Sequence, residues 1–291
     1  MFEFHQDRLK IKEKLGKGRF GTVFPYQKHS EDLKWVVKRI KAEDADALVA
    51  SLPEVILGMS CDHPNIVPIK GYFIEKNDDN EGYNIYMKLP RLEGTLLEDF
   101  KERKAGETPY SEEEIIHHFY SLVSGVEYLH NKKKIFHGDI KPESLLLDQD
   151  KVLKIGDIGV SKHVGEKNVF NYQYSAPEIL GVEVKKEMLK KADIWSLGAI
   201  ILELCCFDLK LLNASLPKDQ FQDVLKDLFV SLQMKYHEKV VEVLQMILSL
   251  DPNERPDAGL VRRKLVKSFP DILDGKAEDH TGVMNLNFFN S

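Results

Sequence analysis

The sequence predicts an α+β fold in two parts, a small β-rich lobe that carries one helix and a larger, mostly helical lobe. Short β-like runs, separated by glycine or polar clusters, fill the first 90 residues. After Gly94 the apolar residues recur at helical spacing instead. The change of pattern falls near Lys88–Arg91, which we interpret as a short hinge between the lobes.

The small lobe is predicted to be an antiparallel sheet interrupted by one helix, from about Glu43 to Cys61. Short runs rich in β-branched and aromatic residues, bounded by turn-forming residues, are typical of such sheets. The predicted strands are Leu9–Leu15, Thr22–Gln27, Lys34–Ile40, Ile66–Ile74 and Tyr83–Leu89.

We predict a strongly amphipathic helix near the start of the larger lobe. Ser111 and Glu114 form a capping-box pattern, and one apolar stripe follows it. The stripe consists of Ile115, Ile116, Phe119, Leu122, Val123, Val126 and Leu129. Further helices are predicted over residues 188–206, 218–232, 236–249 and 257–267. The expected division is 1–90 for the small lobe, 91–273 for the larger lobe and 274–291 for a C-terminal tail.

Composition limits the classes of function. The chain has 291 residues, 43% of them hydrophobic and 30% charged, which is typical of a globular protein. A formal net charge of −6 gives no basis for sequence-independent binding to nucleic acid. There is no apolar run of roughly 18 residues that could span a membrane. The three cysteines are odd in number, and we expect them to be reduced packing residues in a cytoplasmic protein.

A glycine-rich loop spans Gly16, Gly18 and Gly21 and is followed by Val23. Glycine triplets also form dinucleotide-binding turns, but in those folds the glycines open a helix. Here they precede Thr-Val-Phe-Pro-Tyr, which starts a helix poorly. We therefore predict a β-hairpin whose backbone N–H groups can approach phosphates closely.

Two further patterns contain charged residues that are candidates for a catalytic site. Lys38 follows Val36-Val37 within the β-like run Lys34–Ile40, and Glu54 lies on the predicted helix sixteen residues later. A lysine on a strand is otherwise most often a surface residue. Asp139 lies in His-Gly-Asp-Ile-Lys-Pro-Glu-Ser, and Asp157 lies in Lys-Ile-Gly-Asp-Ile-Gly. Isolated aspartates are usually turn residues. The flanking patterns here favour a catalytic interpretation, as do the later motifs Ala176-Pro177-Glu178, Asp193-x-Trp195 and Arg255.

In these motifs the sequence resembles the eukaryotic protein kinase catalytic domain over roughly residues 9 to 268. The resemblance implies a bilobal protein-kinase-like fold. Asp139-x-Lys141-Pro-Glu is similar to the serine/threonine kinases and unlike the tyrosine kinases. The two aspartate motifs resemble those of cell-cycle and mitotic kinases, without indicating a subfamily.

The resemblance implies a role for each matching residue. Gly16, Gly18 and Gly21 would cover the phosphates of ATP, Lys38 would contact the α- and β-phosphates, and Glu54 would hold Lys38 in place. Asp139 would accept the proton of the substrate hydroxyl, with Lys141 neutralising charge nearby. Asp157 would bind Mg²⁺ (or Mn²⁺). Val23, Val36 and Leu146 would enclose the adenine, beside a hinge that begins just after Met87. Glu178 with Arg255, and Asp193, match structural residues of the helical lobe.

The chain departs from the family in its catalytic loop and activation segment. Gly138 stands in place of an arginine that normally pairs with a phosphorylated residue, so we expect activity without activation-loop phosphorylation. Ser144 replaces a metal-binding asparagine and would hold a second Mg²⁺ loosely or through water. Phe170-Asn171 replaces a Gly-Thr pair, which leaves the substrate class in doubt.

Two residues of the small-lobe helix are also unusual. Proline costs about 3 kcal/mol inside a helix and glycine about 1 kcal/mol relative to alanine. We therefore expect the helix to break or restart at Pro53. Gly58, where the family carries a large apolar residue, should thin the contact with the larger lobe. The small lobe would then either favour an inactive arrangement or require an activating or scaffold protein to hold Glu54 inward.

Three functions remain open at this point. The first is a protein serine/threonine kinase that uses ATP and phosphorylates a protein substrate. The second is a pseudokinase, a scaffold or regulatory module with or without bound ATP, which Gly138, Ser144, Asn171 and Gly58 favour. The third is a small-molecule or lipid kinase, which the Ala176-Pro-Glu and Asp193-x-Trp195 motifs disfavour.

Overall fold

A five-stranded antiparallel sheet forms most of the small lobe. The computed structural model describes residues 15–18, 21–26, 34–77, 82–158, 173–179, 186–208 and 218–273. The strands are β1 (Gly16–Gly18), β2 (Gly21–Pro25), β3 (Trp35–Ala42), β4 (Gly71–Lys76) and β5 (Tyr83–Pro90), in the spatial order β1-β2-β3-β5-β4. β1 and β2 pair as a hairpin, which confirms that interpretation of the glycine-rich loop. Of the predicted run Leu9–Leu15, only Leu15 lies within the described residues.

The predicted strand Ile66–Ile74 is wrong in its first half, since β4 begins only at Gly71. Pro68 has no N–H to give to a strand ladder. The preceding residues bond to the larger lobe instead, with the Val67 N–H donating to the Ile155 carbonyl at 2.9 Å. The Lys70 N–H then donates to the Lys88 carbonyl of β5 at 2.9 Å. This connection therefore contacts both lobes.

The small-lobe helix α1 runs without interruption from Ala45 to Ser60, so the expected break at Pro53 does not occur. Asp44 caps its N-terminus by accepting from the Ala47 N–H at 2.7 Å. Val55, on the face toward the sheet, is fully buried in a cluster with Ile85. We infer that this packing offsets the hydrogen bond that Pro53 removes from the helix, because tertiary contacts routinely override helix propensity.

The larger lobe is built of helices around one small sheet. The sheet pairs β6 (Gly94–Thr95), β7 (Leu145–Leu147) and β8 (Leu153–Ile155) in that order. The helices are α2 (Leu96–Ala105), α3 (Glu112–Glu127), α4 (Lys186–Cys206), α5 (Lys218–Gln233), α6 (Glu238–Ile247), α7 (Ala258–Ser268) and α8 (Pro270–Leu273). Together with the β-rich lobe, they confirm the predicted bilobal α+β fold.

Helix α3 occupies the centre of the larger lobe. The predicted capping box is present, because Ser111 and Glu114 each accept from the other's backbone N–H. All seven residues of the predicted stripe are 0% exposed. The chain then widens into a π-helix over Tyr128–Lys133, which ends at Lys134 in a left-handed conformation. This segment leads directly into the catalytic-loop motif.

The cysteines behave as packing residues. All three are free thiols; Cys61 and Cys205 are buried, and Cys206 is half-buried. Burial raises the pKa of Cys206 to about 11 and raises that of Cys205 as well, so both thiols stay protonated near neutral pH. Among the helices that the structure describes, none has the length and apolar character needed to cross a bilayer.

Candidate active site

Three charged side chains from different elements meet at the junction of the lobes. Lys38 projects from β3, Glu54 from α1, and Asp157 follows β8. The Lys38 Nζ atom lies 3.3 Å from Glu54 Oε1 and 2.6 Å from Asp157 Oδ1. The side chains of Lys38 and Glu54 are 11% and 16% exposed, whereas that of Asp157 is 28% exposed. Asp157 thus has the most open position of the three.

Burial and charge act in different directions on the members of this cluster. Burial disfavours the charged Lys38 amine, but the carboxylates of Asp157 and Glu54 outweigh it and raise the pKa of Lys38. Burial also raises the pKa of Glu54, and its attraction to Lys38 only partly offsets this effect. The asymmetry arises because one ammonium group is shared between two carboxylates. Lys38 therefore stays charged, while Glu54 is held in an unfavourable environment for its charge.

Asp157 adopts a strained backbone conformation, with φ at 51°. This left-handed region is uncommon for a residue other than glycine. The hydrogen bond from the Lys38 amine to its carboxylate helps to hold it there. Gly156, just before it, lies where an added Cβ would come within 2.7 Å of Leu146 Cδ1. The close approach of Leu146 thus explains why a glycine precedes Asp157.

A second charged pair lies in the catalytic-loop motif. The Lys141 amine is hydrogen-bonded to the Asp139 carboxylate. Ser144 is buried beneath them, and its hydroxyl donates to the Lys141 carbonyl at 2.9 Å and accepts from the Lys141 N–H at 3.2 Å. The Ser144 hydroxyl therefore stabilises the loop backbone and keeps one lone pair for another partner.

Asp193 of α4 anchors the loop from below, as its motif predicts. Its carboxylate accepts from the backbone N–H groups of His137 and Gly138, both at 2.8 Å. The same carboxylate lies 2.8 Å from Nε2 of His130. Gly138 has φ at 80°, a conformation that glycine adopts without the penalty that a side chain brings. The glycine thus suits the backbone of the loop, although it removes the arginine side chain of the family.

Two hydrogen bonds join the charged clusters to each other. Nε2 of the buried His137 lies 2.9 Å from the carbonyl of Gly156, the residue before Asp157. The Gly156 N–H donates to the Ser144 carbonyl at 2.8 Å. The segments that carry Asp139 and Asp157 are therefore fixed side by side.

The glycine hairpin, Val23 and Val36 belong to the five-stranded sheet, whereas Leu146 belongs to β7 of the larger lobe. In the hairpin Gly16 pairs with Val23 and Gly18 with Gly21. Gly21 has φ at 149°, and an added Cβ would come within 2.4 Å of the Arg39 carbonyl oxygen, so only glycine fits.

On β3, Lys38 pairs with Val23 of β2 and with Met87 of β5. Met87 and Val36 are buried, whereas Val23 and Leu146 are half-buried. The strand register thus places Val23 and Met87 on either side of Lys38.

Gly58 does not leave the gap that the sequence suggested. An added Cβ would come within 2.4 Å of Ile69 Cδ1 and 2.8 Å of Ile69 Cγ1. Ile69 lies in the connection after α1 and occupies the space of the missing side chain. Ile69 of the small lobe thus fills the space beside Gly58, and Glu54 lies 3.3 Å from Lys38 in this chain.

Several site residues escaped the sequence analysis. His137 was noted only as part of a motif, and His130 belongs to no sequence pattern that indicates a functional site. Glu203 is buried in α4 and accepts from the Tyr174 hydroxyl at 2.8 Å and from Gln173 at 2.9 Å, next to the catalytic loop. Burial, together with the charge of Glu203, raises the pKa of Tyr174 well above its usual range.

Arg255 is fully buried and makes two hydrogen bonds to Glu178, at 2.6 and 2.8 Å, as predicted. This contact ties the segment after the activation region to the loop that precedes α7.

Comparison with known proteins agrees with this geometry. The family described as protein kinase domain matches residues 9–265. The human serine/threonine-protein kinase Nek11 is 30% identical over 266 residues, covering 86% of this chain and 39% of that protein. The probable serine/threonine-protein kinase nek1 of Dictyostelium discoideum is 30% identical over 223 residues, covering 70% of this chain and 45% of that protein.

The serine/threonine-protein kinase Nek8 of Danio rerio is 26% identical over 247 residues, covering 83% of this chain and 34% of that protein. The chain thus spans less than half the length of each of these relatives.

Proposed function

We propose, since the chain belongs to the protein kinase domain family, that it is a serine/threonine kinase that transfers the γ-phosphate of ATP to protein hydroxyls. The observation that best supports this proposal is the position of Lys38. Its amine contacts Glu54 and Asp157 together, at 3.3 and 2.6 Å. Phosphoryl transfer depends mainly on positioning and charge neutralisation, and this cluster provides both.

The phosphates of ATP would lie under the hairpin of Gly16, Gly18 and Gly21, against the Lys38 amine. Mg²⁺ (or Mn²⁺) prefers one or two carboxylates plus substrate phosphates and waters, and the partly exposed Asp157 fits that preference. When bound, the cation neutralises charge that develops on the phosphate oxygens. Ser144 would contribute at most through its remaining lone pair or a water molecule, because its hydroxyl already bonds the loop.

Asp139 would accept the proton from the attacking hydroxyl of the substrate. One of its oxygens is bonded to Lys141, so the other is the candidate acceptor. Lys141, which is itself buried, would neutralise negative charge on the transferred group. The Gly138 N–H donates to the Asp193 carboxylate, and holding this preceding residue would help to orient the Asp139 side chain.

The same loop suggests how activity is controlled. Gly138 is exposed and has no side chain with which to bind a phosphorylated residue. We therefore propose that turnover does not require phosphorylation of the activation segment, which lies mainly in residues 159–172, outside the described ranges.

We also propose a cytoplasmic location and a division into lobes of residues 1–90 and 91–273 with a tail over 274–291. An activating or scaffold protein would act elsewhere than on Glu54, which already contacts Lys38 in this chain.

The alternative is a pseudokinase, and Ser144 is the observation that favours it. A buried serine, committed to the backbone, replaces an asparagine carbonyl that would bind a second cation. A protein with this change could bind ATP and still transfer phosphate too slowly to matter.

Radiolabelled phosphate transfer to a generic protein substrate, with Mg²⁺ or Mn²⁺, separates the two proposals. The comparison is wild type, Asp139→Asn and the control Asp223→Asn, whose side chain is 74% exposed on α5. We expect activity in wild type and Asp223→Asn and a large loss in Asp139→Asn. Equal background in all three proteins would support the pseudokinase.

A thermal shift assay with ATP and metal tests binding separately. A ligand at 100 times its dissociation constant adds about 2.7 kcal/mol to the free energy of unfolding. We expect that stabilisation in wild type and its loss in Lys38→Met, both for an active kinase and for a pseudokinase that binds ATP. No stabilisation of wild type would indicate a pseudokinase without bound ATP.

A further inference from the structure

A cavity of about 410 Å³ opens on the larger lobe where the π-helix, α4 and α7 meet. None of the residues assigned to nucleotide or catalysis lines it. Its volume falls within the range of about 300–1,000 Å³ that is typical of small-molecule sites. The lining residues are His130, Asn131, Lys134, Lys190, Lys191, Ile194, Asp257 and Ala258.

The charge of this cavity is opposite to that of the chain as a whole. The protein has a formal net charge of −6, yet the lining contains three lysines and only one carboxylate. That carboxylate, Asp257, caps α7 by accepting from the Leu260 N–H at 2.7 Å. The lysine amines therefore dominate the electrostatic potential inside the cavity.

Two of the lysines are already held in position. The Lys190 amine donates to the His130 carbonyl at 3.0 Å, and the Lys191 amine donates to the Arg255 carbonyl. Both side chains are half-buried. Within the described residues, no carboxylate lies within 4.0 Å of either amine. Main-chain carbonyls thus orient these cations without neutralising them, which leaves their charge for an anionic ligand.

Lys134 is the third lysine of the lining and follows the π-helix. Its φ of 59° ends the π-helix in the left-handed region, where glycine is the usual and less strained residue. The side chain is exposed and lines the cavity, so we expect its amine to contact an anion bound there.

We propose that this cavity binds a phosphate-bearing anion, held by the amines of Lys134, Lys190 and Lys191. The ligand is either a free phosphate compound or a phosphorylated protein side chain, since both present the same charged oxygens to lysine. The floor of the cavity is the buried His130, whose ring is bonded to Asp193. A bound anion would therefore lie one side chain away from the aspartate that holds the catalytic loop.

Calorimetric titration of the full chain with inorganic phosphate, pyrophosphate and a short phosphoserine peptide tests the proposal. Each titration is run without divalent cations and at constant ionic strength set with sodium chloride, because screening weakens non-specific charge attraction. We expect binding of at least one probe to wild type and a loss of affinity of at least about tenfold in Lys134→Gln/Lys190→Gln. Tighter binding of the peptide than of either free anion identifies a protein-borne phosphate; the reverse order identifies a free one.

Two control variants make the result specific. Lys226→Gln removes an exposed lysine on α5 and should bind as wild type does. Lys38→Met weakens the nucleotide site, where pyrophosphate could also bind, and should keep its affinity for the probe.

If Lys134→Gln/Lys190→Gln fails to fold, Lys134→Gln alone, at an exposed position, should still weaken binding severalfold. The proposal is overturned if no probe binds wild type, if Lys38→Met loses binding while the double variant keeps it, or if every variant binds equally.

Discussion

Replacing Glu54 by glutamine should separate stability from activity at the nucleotide site. At 3.3 Å, and with an effective dielectric constant of about 20, the attraction between Glu54 and Lys38 is about 5 kcal/mol. Removing each ion from water costs several kcal/mol, and the Asp157 charge adds repulsion. The raised pKa of Glu54 indicates that these unfavourable contributions outweigh the attraction. We therefore expect Glu54→Gln to change the free energy of unfolding by less than about 1 kcal/mol at pH 7, or to increase it.

The difference in stability between Glu54→Gln and wild type depends on pH in a defined way. A group whose pKa is raised on folding stabilises the protein below its unfolded pKa, about 4.3 for glutamate, and this contribution is lost as the pH rises through the folded value. Any advantage of Glu54→Gln should therefore be present at pH 7 and shrink as the pH falls toward 4.3. Its rate of phosphate transfer should nevertheless fall about 10- to 100-fold, because a neutral amide positions Lys38 less firmly.

Glu178→Gln is the matched control. It makes the same chemical change at a pair whose arginine, Arg255, has a side chain that is 0% exposed. Breaking such a buried pair costs about 3–5 kcal/mol. Thermal unfolding distinguishes the two variants, since about 1 kcal/mol corresponds to about 2–4 °C for a chain near this size. Equal losses of stability in both variants would refute this account of Glu54.

Other features lead to further expected results. Combining Gly58→Ala with Ile69→Val should give a favourable coupling of about 1 kcal/mol in urea unfolding, because valine lacks the Cδ1 atom that lies 2.4 Å from the new Cβ; strictly additive values would contradict this packing. Gly138→Ala should lower the free energy of unfolding by about 1–2 kcal/mol, because its φ of 80° disfavours a side chain; an unchanged urea midpoint would show that the loop adapts. Phosphatase treatment of the purified protein should leave the transfer rate within about twofold, since Gly138 cannot bind a phosphorylated residue; a large loss of rate would count against that reasoning.

The sequence predicted the parts of this fold that depend on local pattern. The stripe of α3 and its Ser111–Glu114 cap were readable because the spacing of side chains along a helix is fixed. Helix α2 was missed, although Thr95 and Glu98 form the same kind of capping box. Its apolar positions are few, and a short helix of this kind depends on packing against β6 and β7.

Tertiary contacts decided the features that sequence reasoning got wrong. Pro53 predicts a break only if the helix must stand alone, whereas here one face of α1 is buried against the sheet. Gly58 predicts a gap only if no other side chain fills the space. Ile69 fills it, but this residue lies outside α1, so the spacing of side chains along the helix could not reveal the contact. Nothing in the sequence singles out Lys190 and Lys191, because only the fold brings both residues to the lining of one cavity.

The connection between α1 and β4 limits how the two lobes can move. It bonds to β8 through Val67 and to β5 through Lys70, while the hinge after Met87 supplies a separate covalent link. Two attachments restrict opening and closing of the cleft to rotation about the line that joins them. Sideways sliding would require these backbone bonds to break. The Val67 amide should therefore exchange its proton with solvent far more slowly than amides on the solvent face of α1, and nucleotide entry should proceed without unfolding of this segment.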